Sequence, residues 1–411
     1  MSATLLQGVR IIESSAFIAA PLAGLTLAQF GAEVIRVDLP GGGIDYHRMP
    51  RMPGGRSLYW AGLNKAKRSV AIDLRRPEGR DLIRQLICAP GEGGGILLTN
   101  IGTPWLAHAA LQRLREDVIT CTIEGNFDGS TAVDYTVHCA TGFPLATGAG
   151  PQPLNSPVPT WDACCAYQAA MAMVAAVLRR RVGGQGAELR IALSDVAFSL
   201  MSHLGVLAQA EMLGEDREPI GNHIYGAFGC DFPTRDGQRV MVAGISLGQW
   251  KALVRASGLG EAMAGLEQGL AADFSDEAQR YAHREAIAAL FAPWFGARTL
   301  AELDVVLTAA GVCWGKYRRA SELLAEDPRV GAINPTFERL HTLGVGEHWS
   351  VRSPVRWLGE PAPATTPAGW VGENTEEVLQ AVLGLGQAQI RDLRERGVVA
   401  GAEEGVALKA G

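Results

Sequence analysis

Glycine is missing from the one place where a nucleotide-binding sheet would need it. The chain opens with a buried-strand signal at residues 9–12, and the turn that follows is S-S-A-F-I-A-A-P at 14–21. A dinucleotide fold places G-x-G-x-x-G there so that backbone can approach a pyrophosphate. Asp38, closing the second strand signal, imitates the ribose-binding acid of such folds. Without the glycines, NAD(P) is not expected. Metal-ligand spacing is missing too. The seven cysteines, at 88, 121, 139, 164, 165, 230 and 313, include no CxxC pair and show no ligand spacing with the eight histidines, so no metal site is expected. Their odd number and the adjacent Cys164-Cys165 argue against a disulfide framework and fit a reducing cytoplasm. Basic clusters are scarce as well: a net charge of −6 excludes a nucleic-acid partner, although scattered cations could hold a small anion. The opening residues M-S-A-T-L-L-Q-G-V-R lack the layout of a secretory signal. The longest apolar stretch, 163–178, contains Tyr167 and Gln168 and falls short of the ~20 residues that span a bilayer. No membrane partner is therefore expected.

What is present is a soluble composition, 47% apolar and 19% charged, in 411 residues. That length favours two domains over one core. Strand signals at 9–12, 34–37, 70–74 and 96–99 alternate with helix signals at 21–30 and 75–87. This rhythm predicts an α/β fold with a parallel, Rossmann-like sheet. A strand at 189–193 and a helix at 195–208 continue it. The character changes near Gly221, where C-D-F-P-T-R-D-G-Q-R-V-M-V-A reads as a hairpin around Asp236-Gly237 and begins a smaller α+β domain. The expected organisation is a discontinuous large domain, 1–210 and 335–411, with a small domain at 222–325. The tail reads as two short helices over 374–396, with Thr375 as the cap of the first.

Charge is scarcest between Tyr135 and Leu178, where Asp162 is the sole charged side chain. It stands in P-T-W-D-A-C-C at the start of a buried-helix signal. One reading makes it the helix cap, worth ~1 kcal/mol. The other makes it a nucleophile kept ionised by the helix N-terminus with water excluded. Cys164 and Cys165 share that first turn and could be nucleophiles, or small core hydrophobes. Lys65, Lys67 and Arg68, with Arg75 and Arg76, read either as a solvated strand edge or as a cationic rim for phosphates. Tyr59 and Tyr135 are core or rim aromatics, or hydrogen-bond donors to a substrate.

These pieces recur together in one family. The chain resembles the class III CoA-transferases through G-V-R-I-I-E at 8–13, A-A-P-L-A-G-L-T-L-A-Q-F-G-A-E-V-I-R-V-D at 19–38 and N-K-A-K-R-S-V-A-I-D-L-R-R-P-E-G at 64–79. The likeness continues through T-N-I at 99–101, the Asp162 helix and V-G-E-N-T-E-E-V-L at 371–379. The resemblance implies that Asp162 is the nucleophile, passing through a mixed anhydride and an aspartyl-CoA thioester. It implies coenzyme A as part of the substrate and no permanently bound cofactor. It implies an interlocked homodimer as the only protein partner. It places Ile18, Ala19, Ile72, Arg75, Asn100 and Ile101 near CoA, with Lys65 and Arg68 in the cationic rim.

Ile18, Leu39 and His108 replace polar residues of the oxalate-using members, and their tetraglycine loop has no counterpart, so oxalate chemistry is not expected. G-G-G-I-D-Y at 41–46, L-I-C-A-P-G-E at 86–92 and Y-G-A-F-G-C-D-F at 225–232 resemble a subgroup that moves CoA between the two carboxyls of one mesaconate. Such a substrate keeps a free carboxylate, for which Arg48 with Tyr59 and Tyr135 are the candidate partners. Two other expectations stand beside this one: a transferase using a second acid such as succinate, and an inactive CoA-binding scaffold.

Overall fold

The computed structural model describes residues 5–359 and 364–402. The chain divides into two compact units. The larger comprises Met1–Thr141, Ser156–Leu207 and Pro328–Gly411; the smaller comprises Gly142–Asn155 and Ala208–Asp327. Segment 142–155, which the sequence reading left in the large part, thus belongs with the small one.

The larger unit is built on strands β1 (Arg10–Ser14), β2 (Glu33–Asp38), β3 (Arg68–Ile72), β4 (Ile96–Thr99), β5 (Ile119–Glu124) and β6 (Ala187–Ala192). The smaller unit carries β7 (Phe228–Pro233), β8 (Arg239–Gly244) and β9 (Cys313–Lys316). The larger unit then adds a hairpin, β10 (Phe337–Thr342) with β11 (Gly346–Val351), and a last strand, β12 (Val399–Ala400). The main sheet runs β12-β3-β2-β1-β4-β5-β6, parallel throughout except where β12 lies antiparallel on β3. Its central strands β1 and β4 hold apolar runs, R-I-I-E-S and I-L-L-T, buried along nearly all their length, as befits a sheet with helices on both faces. Ile12 stands between Ile35 and Leu97 in register. The order reverses between β1 and β4, and the loops beyond their carboxyl ends form the crevice where ligands of open α/β sheets bind. S-S-A-F-I-A-A-P leaves β1 and Asn100-Ile101 leaves β4, so both lie at that switch point.

The smaller unit packs β7, β8 and β9 as an antiparallel sheet. Its core is aromatic, with Phe228, Trp250, Phe274, Phe291 and Phe295 buried together.

In the tail, Thr375 is the first helical residue and Asn374 precedes it. Thr375 is fully buried, and its hydroxyl accepts the Ala71 N–H and donates to the Gly372 carbonyl, tying the tail to β3. It is a strand clamp rather than a helix cap.

The helix Thr160–Gly183 ends on a left-handed Gly184. By length and composition it could cross a membrane. Here it packs on β5, β6 and helix Ala19–Gln29, burying Trp161, Cys165, Ala166, Ala169 and Met173.

Helix Ala19–Gln29 lies against buried charge. A Cβ at Gly24 would overlap the Glu13 carboxylate, which sits fully buried at the end of β1. Gly62, on the exposed face of helix Leu58–Asn64, has open space around it. Gly24→Ala should therefore destabilise the fold by about 1–3 kcal/mol, the usual range for overpacking. Gly62→Ala should be neutral or stabilising by up to about 1 kcal/mol. Denaturant unfolding of the two variants side by side tests this, and equal tolerance would contradict the packing assigned to Gly24.

Candidate active site

The free N–H groups that open the Asp162 helix are already taken. Pro159 precedes the helix and Asp162 is its third residue, so it does not cap it. The cap comes from elsewhere: Asp134, at the start of helix Asp134–Ala140, accepts the Trp161 N–H at 2.7 Å and the Asp162 N–H at 3.1 Å through one carboxylate oxygen. Asp134 is buried. Trp161 is pinned further by its indole N–H, which donates to His138 Nδ1 at 3.1 Å. The Asp162 backbone is thereby fixed while its own carboxylate stays unused by the helix.

The electrostatics follow from this substitution. Burial, and after it the Asp134 charge, push the Asp162 carboxyl up to about 6 against the opposing pull of the Arg48 guanidinium. The helix end does not hold Asp162 below its ordinary value, contrary to the expectation from sequence. At neutral pH it is still mostly ionised, but poorly solvated and correspondingly reactive. The neighbouring thiols are not competitors: burial raises Cys164, and raises Cys165 to about 12.

Arg48 and Tyr59 stand within electrostatic reach of Asp162, and Phe17 packs against Arg48. The Arg48 guanidinium lies 5.3 Å from the ring centres of both Phe17 and Tyr59. Ser57 fixes the geometry from below, donating to the Arg48 carbonyl at 2.6 Å and accepting the Trp60 N–H at 3.0 Å. It thus caps the Leu58–Asn64 helix that carries Tyr59. The Tyr59 hydroxyl is buried without a hydrogen-bond partner, and burial pushes it up to about 12, so it remains a donor. Tyr135, half exposed, follows Asp134 on its helix.

The β1 loop is held by side chains. Asn100 accepts the Ala16 N–H at 2.9 Å and donates to the Ala16 carbonyl at 2.8 Å. Ile18 then starts helix Ala19–Gln29, which has no side-chain cap, and an uncapped helix start favours negative charge. Ile101, partly exposed, lies just beyond Asn100, its N–H held by the Thr99 hydroxyl.

The cationic rim dissolves on inspection. Lys65 is buried and donates to Ser350 and the Val351 carbonyl. Lys67 is buried against Glu13, Pro21 and Asn64, and burial lowers it to about 8. Arg68 pairs with Glu33 and Glu377. Ile72 is fully buried in the sheet core, so its side chain does not face a ligand. Arg75 is exposed, 2.7 Å from Asp73, and a phosphate would have to compete with that carboxylate.

The family model for CoA-transferase family III matches residues 6–375. The chain belongs to that family. It is 44% identical over 401 residues to the 2-methylfumaryl-CoA isomerase of Chloroflexus aurantiacus, covering 97% of this chain and 98% of that protein. It is 27% identical to the succinyl-CoA–D-citramalate CoA-transferase of the same organism, over 96% and 98% of the two chains. A CAIB/BAIF family protein from Brucella suis superposes with a TM-score of 0.74 over 92% of this chain and 99% of that one; at 22% identity the likeness is one of fold.

Sequence reasoning missed Asp134 and Phe17. Asp134 had one signal, being the last charge before the uncharged span, directly ahead of Tyr135.

The raised Asp162 carboxyl has a stability consequence. Its folded-state value exceeds the ordinary 3.8, so the folded chain holds the proton more tightly than the unfolded one. Stability therefore falls as pH rises from about 4 to about 6, and the full penalty stands above that. Asp162→Asn should raise unfolding stability at pH 7.5 by on the order of 2 kcal/mol, a gain that vanishes near pH 4. Thermal melts at both pH values measure it; a destabilised Asn variant at pH 7.5 would count against a strained carboxylate.

Proposed function

We propose that this protein moves coenzyme A from the C1 to the C4 carboxyl of one 2-methylfumarate (mesaconate), with Asp162 as nucleophile. The observation that carries this reading is the 44% identity, over nearly the whole of both chains, to a protein named for that isomerisation. The site supports it. An Asp162 carboxylate oxygen attacks the thioester carbonyl, the C–S bond breaks, and a mixed anhydride and CoA thiolate result. The thiolate attacks the aspartyl carbonyl, releasing the diacid and leaving an aspartyl-CoA thioester. Attack by the other carboxylate of the same diacid reverses both steps at C4. Both enzyme-bound intermediates hydrolyse readily, which is why a part-buried nucleophile amid apolar helix is suited to the task.

The carboxylate not being attacked needs a cation in this low-dielectric site. Arg48 supplies it: among the described residues it makes no ion pair, it is exposed, and Phe17 and Tyr59 hold its guanidinium toward Asp162. The unpartnered Tyr59 hydroxyl and Tyr135 complete the proposed pocket. The uncapped helix start at Ile18 and Ala19 would receive the thioester oxygen, with Asn100 and Ile101 along the CoA chain and Arg75 at its phosphates.

A second copy of this chain is the proposed partner. Tyr167, Met171, Val174 and Leu178 expose an apolar stripe at helical spacing on Thr160–Gly183. The first three line a cavity of about 460 Å³, and a large apolar patch of this kind marks an interface. A cytoplasmic setting completes the reading, in keeping with the cysteine pattern.

Incubating the protein with the C1 thioester alone should yield the C4 thioester, and no incorporation of labelled succinate should occur. Succinate incorporation would instead favour an intermolecular transferase. Turnover persisting in Asp162→Ala would remove the mechanism. Arg48→Ala should lower kcat/KM at least tenfold, and wild-type kinetics in that variant would remove its assigned role. The wild-type rate should climb as pH rises through about 6, because attack needs the ionised carboxylate. Asp134→Asn keeps an oxygen for the helix N–H groups but loses the charge, so this rise should move to lower pH. An unmoved profile would deny Asp134 its electrostatic part.

A further inference from the structure

Phe17 adopts a conformation that an aromatic residue rarely holds. Its φ of 66° lies in the left-handed region, which is unfavourable for a non-glycine residue and persists only where the surroundings impose it. The imposing group is the Asp45 carboxylate. The Phe17 N–H donates to Asp45 Oδ2 at 3.0 Å, and Asp45 is itself buried, both its oxygens 3.3 Å from Arg36 Nη2. Arg36 is held in turn. It donates to Asp38 at 2.9 and 3.1 Å, to Glu13 at 3.2 Å, to Ser15 at 3.1 Å and to Asn64 at 3.3 Å. Lys67 closes the cluster on Glu13 at 3.0 Å. The guanidinium is fully buried, so its position is set by these bonds and not by solvent.

Arg48, three residues after Asp45, places its guanidinium over the Phe17 ring, 5.3 Å from its centre. Asp45 therefore touches the site twice, through the Phe17 backbone it bends and through the chain that carries Arg48. Asn100 donates to the Ala16 carbonyl of the peptide group that joins Ala16 to Phe17 and accepts the Ala16 N–H before it, so Asp45 is the side chain that takes the Phe17 N–H while Asn100 holds the residue ahead.

We propose that Asp45, fixed by buried Arg36, is a positioning residue for the transfer reaction: it holds the left-handed turn at Phe17 and thereby seats the ring on which Arg48 rests. Asp45 touches no reacting atom; it acts through Phe17 and Arg48. This rests on the function proposed above for Arg48, and goes beyond it by naming what sets that cation's place.

The test compares Asp45→Ala with Asp45→Asn in the full-length protein, in two arms. The first needs no substrate. Deuterium uptake at the backbone of residues 14–22 should rise at least tenfold in rate in Asp45→Ala, with distant segments unchanged. In Asp45→Asn, which keeps an acceptor for the Phe17 N–H, most of the protection should return. Uptake at wild-type rate in Asp45→Ala, or uptake raised throughout the molecule, overturns the proposal.

The second arm is a kinetic cycle with Arg48→Ala. Asp45→Ala alone should lower kcat/KM about tenfold. In the Arg48→Ala background it should change it less than about twofold, because a residue acting through Arg48 has nothing left to position. Additive losses overturn the proposal even where the loop has loosened. A wild-type protein that fails to interconvert the two thioesters sinks the proposed reaction instead, and the exchange arm alone then decides whether Asp45 holds the turn.

Discussion

A helix N-terminus offers few free N–H groups, and whichever carboxylate takes them is stabilised as an anion and immobilised. In this chain Asp134 takes those of residues 161 and 162. Everything distinctive about Asp162 follows from that assignment. Its backbone is locked by its neighbour's carboxylate, while its own side chain gets neither the hydrogen bonds nor the lowered proton affinity of a cap. Burial and the adjacent negative charge act on it unopposed except by Arg48. A capped carboxylate would be a comfortable anion and a poor nucleophile. Here one aspartate does the structural work so that the other can remain reactive, which is how pairs of carboxylates acquire different roles from different environments.

The second constraint is the charge buried beneath the β1 loop. Glu13, Arg36, Asp38, Asp45 and Lys67 are all buried. Removing such groups from water is expensive, and apolar residues of equal volume would usually stabilise a fold as well or better. A core of this kind is explained by what it specifies: fixed directions for a backbone that sheet hydrogen bonds do not reach. Past Ser14 the chain leaves the sheet, and from Ala16 to Phe17 its polar groups are met by Asn100 and Asp45 rather than by a strand. Gly24 belongs to the same design, since only a glycine lets helix Ala19–Gln29 close over the Glu13 carboxylate.

How far the sequence revealed this depended on the range of each interaction. β1 to β4 were legible because parallel strands are short apolar runs bounded by turns. β5, I-T-C-T-I-E, carries too many small polar residues to stand out, and the two residues of β12 join the sheet by backbone bonds alone. Asp162 was legible through its isolation, Asp134 was not, since a cap delivered from 28 residues away leaves no local motif. Lys65 and Lys67 were read as a surface rim because lysine is seldom buried. The partner that buries Lys67, Glu13, lies 54 residues earlier, and those of Lys65 lie on the last hairpin. The bend at Phe17 had no signal at all, because its cause is Asp45 and not the residue itself.

The proposed isomerisation places a peculiar demand on charge. Before transfer, the site holds the Asp162 carboxylate and the free carboxylate of the substrate. After CoA has passed to Asp162, that residue is a neutral thioester and both charges sit on the released diacid. The total is unchanged; only its location moves. A single guanidinium can serve both states if it contacts whichever substrate carboxylate is not reacting, and the two ends of 2-methylfumarate offer it the same group. Turning the diacid round then exchanges one carboxylate for the other at Arg48, so the carboxylate that is not reacting meets the cation at either end of the process. Arg48, though exposed, packs against the rings of Phe17 and Tyr59. Its guanidinium therefore has a settled place from which it can meet one carboxylate of the diacid and then the other.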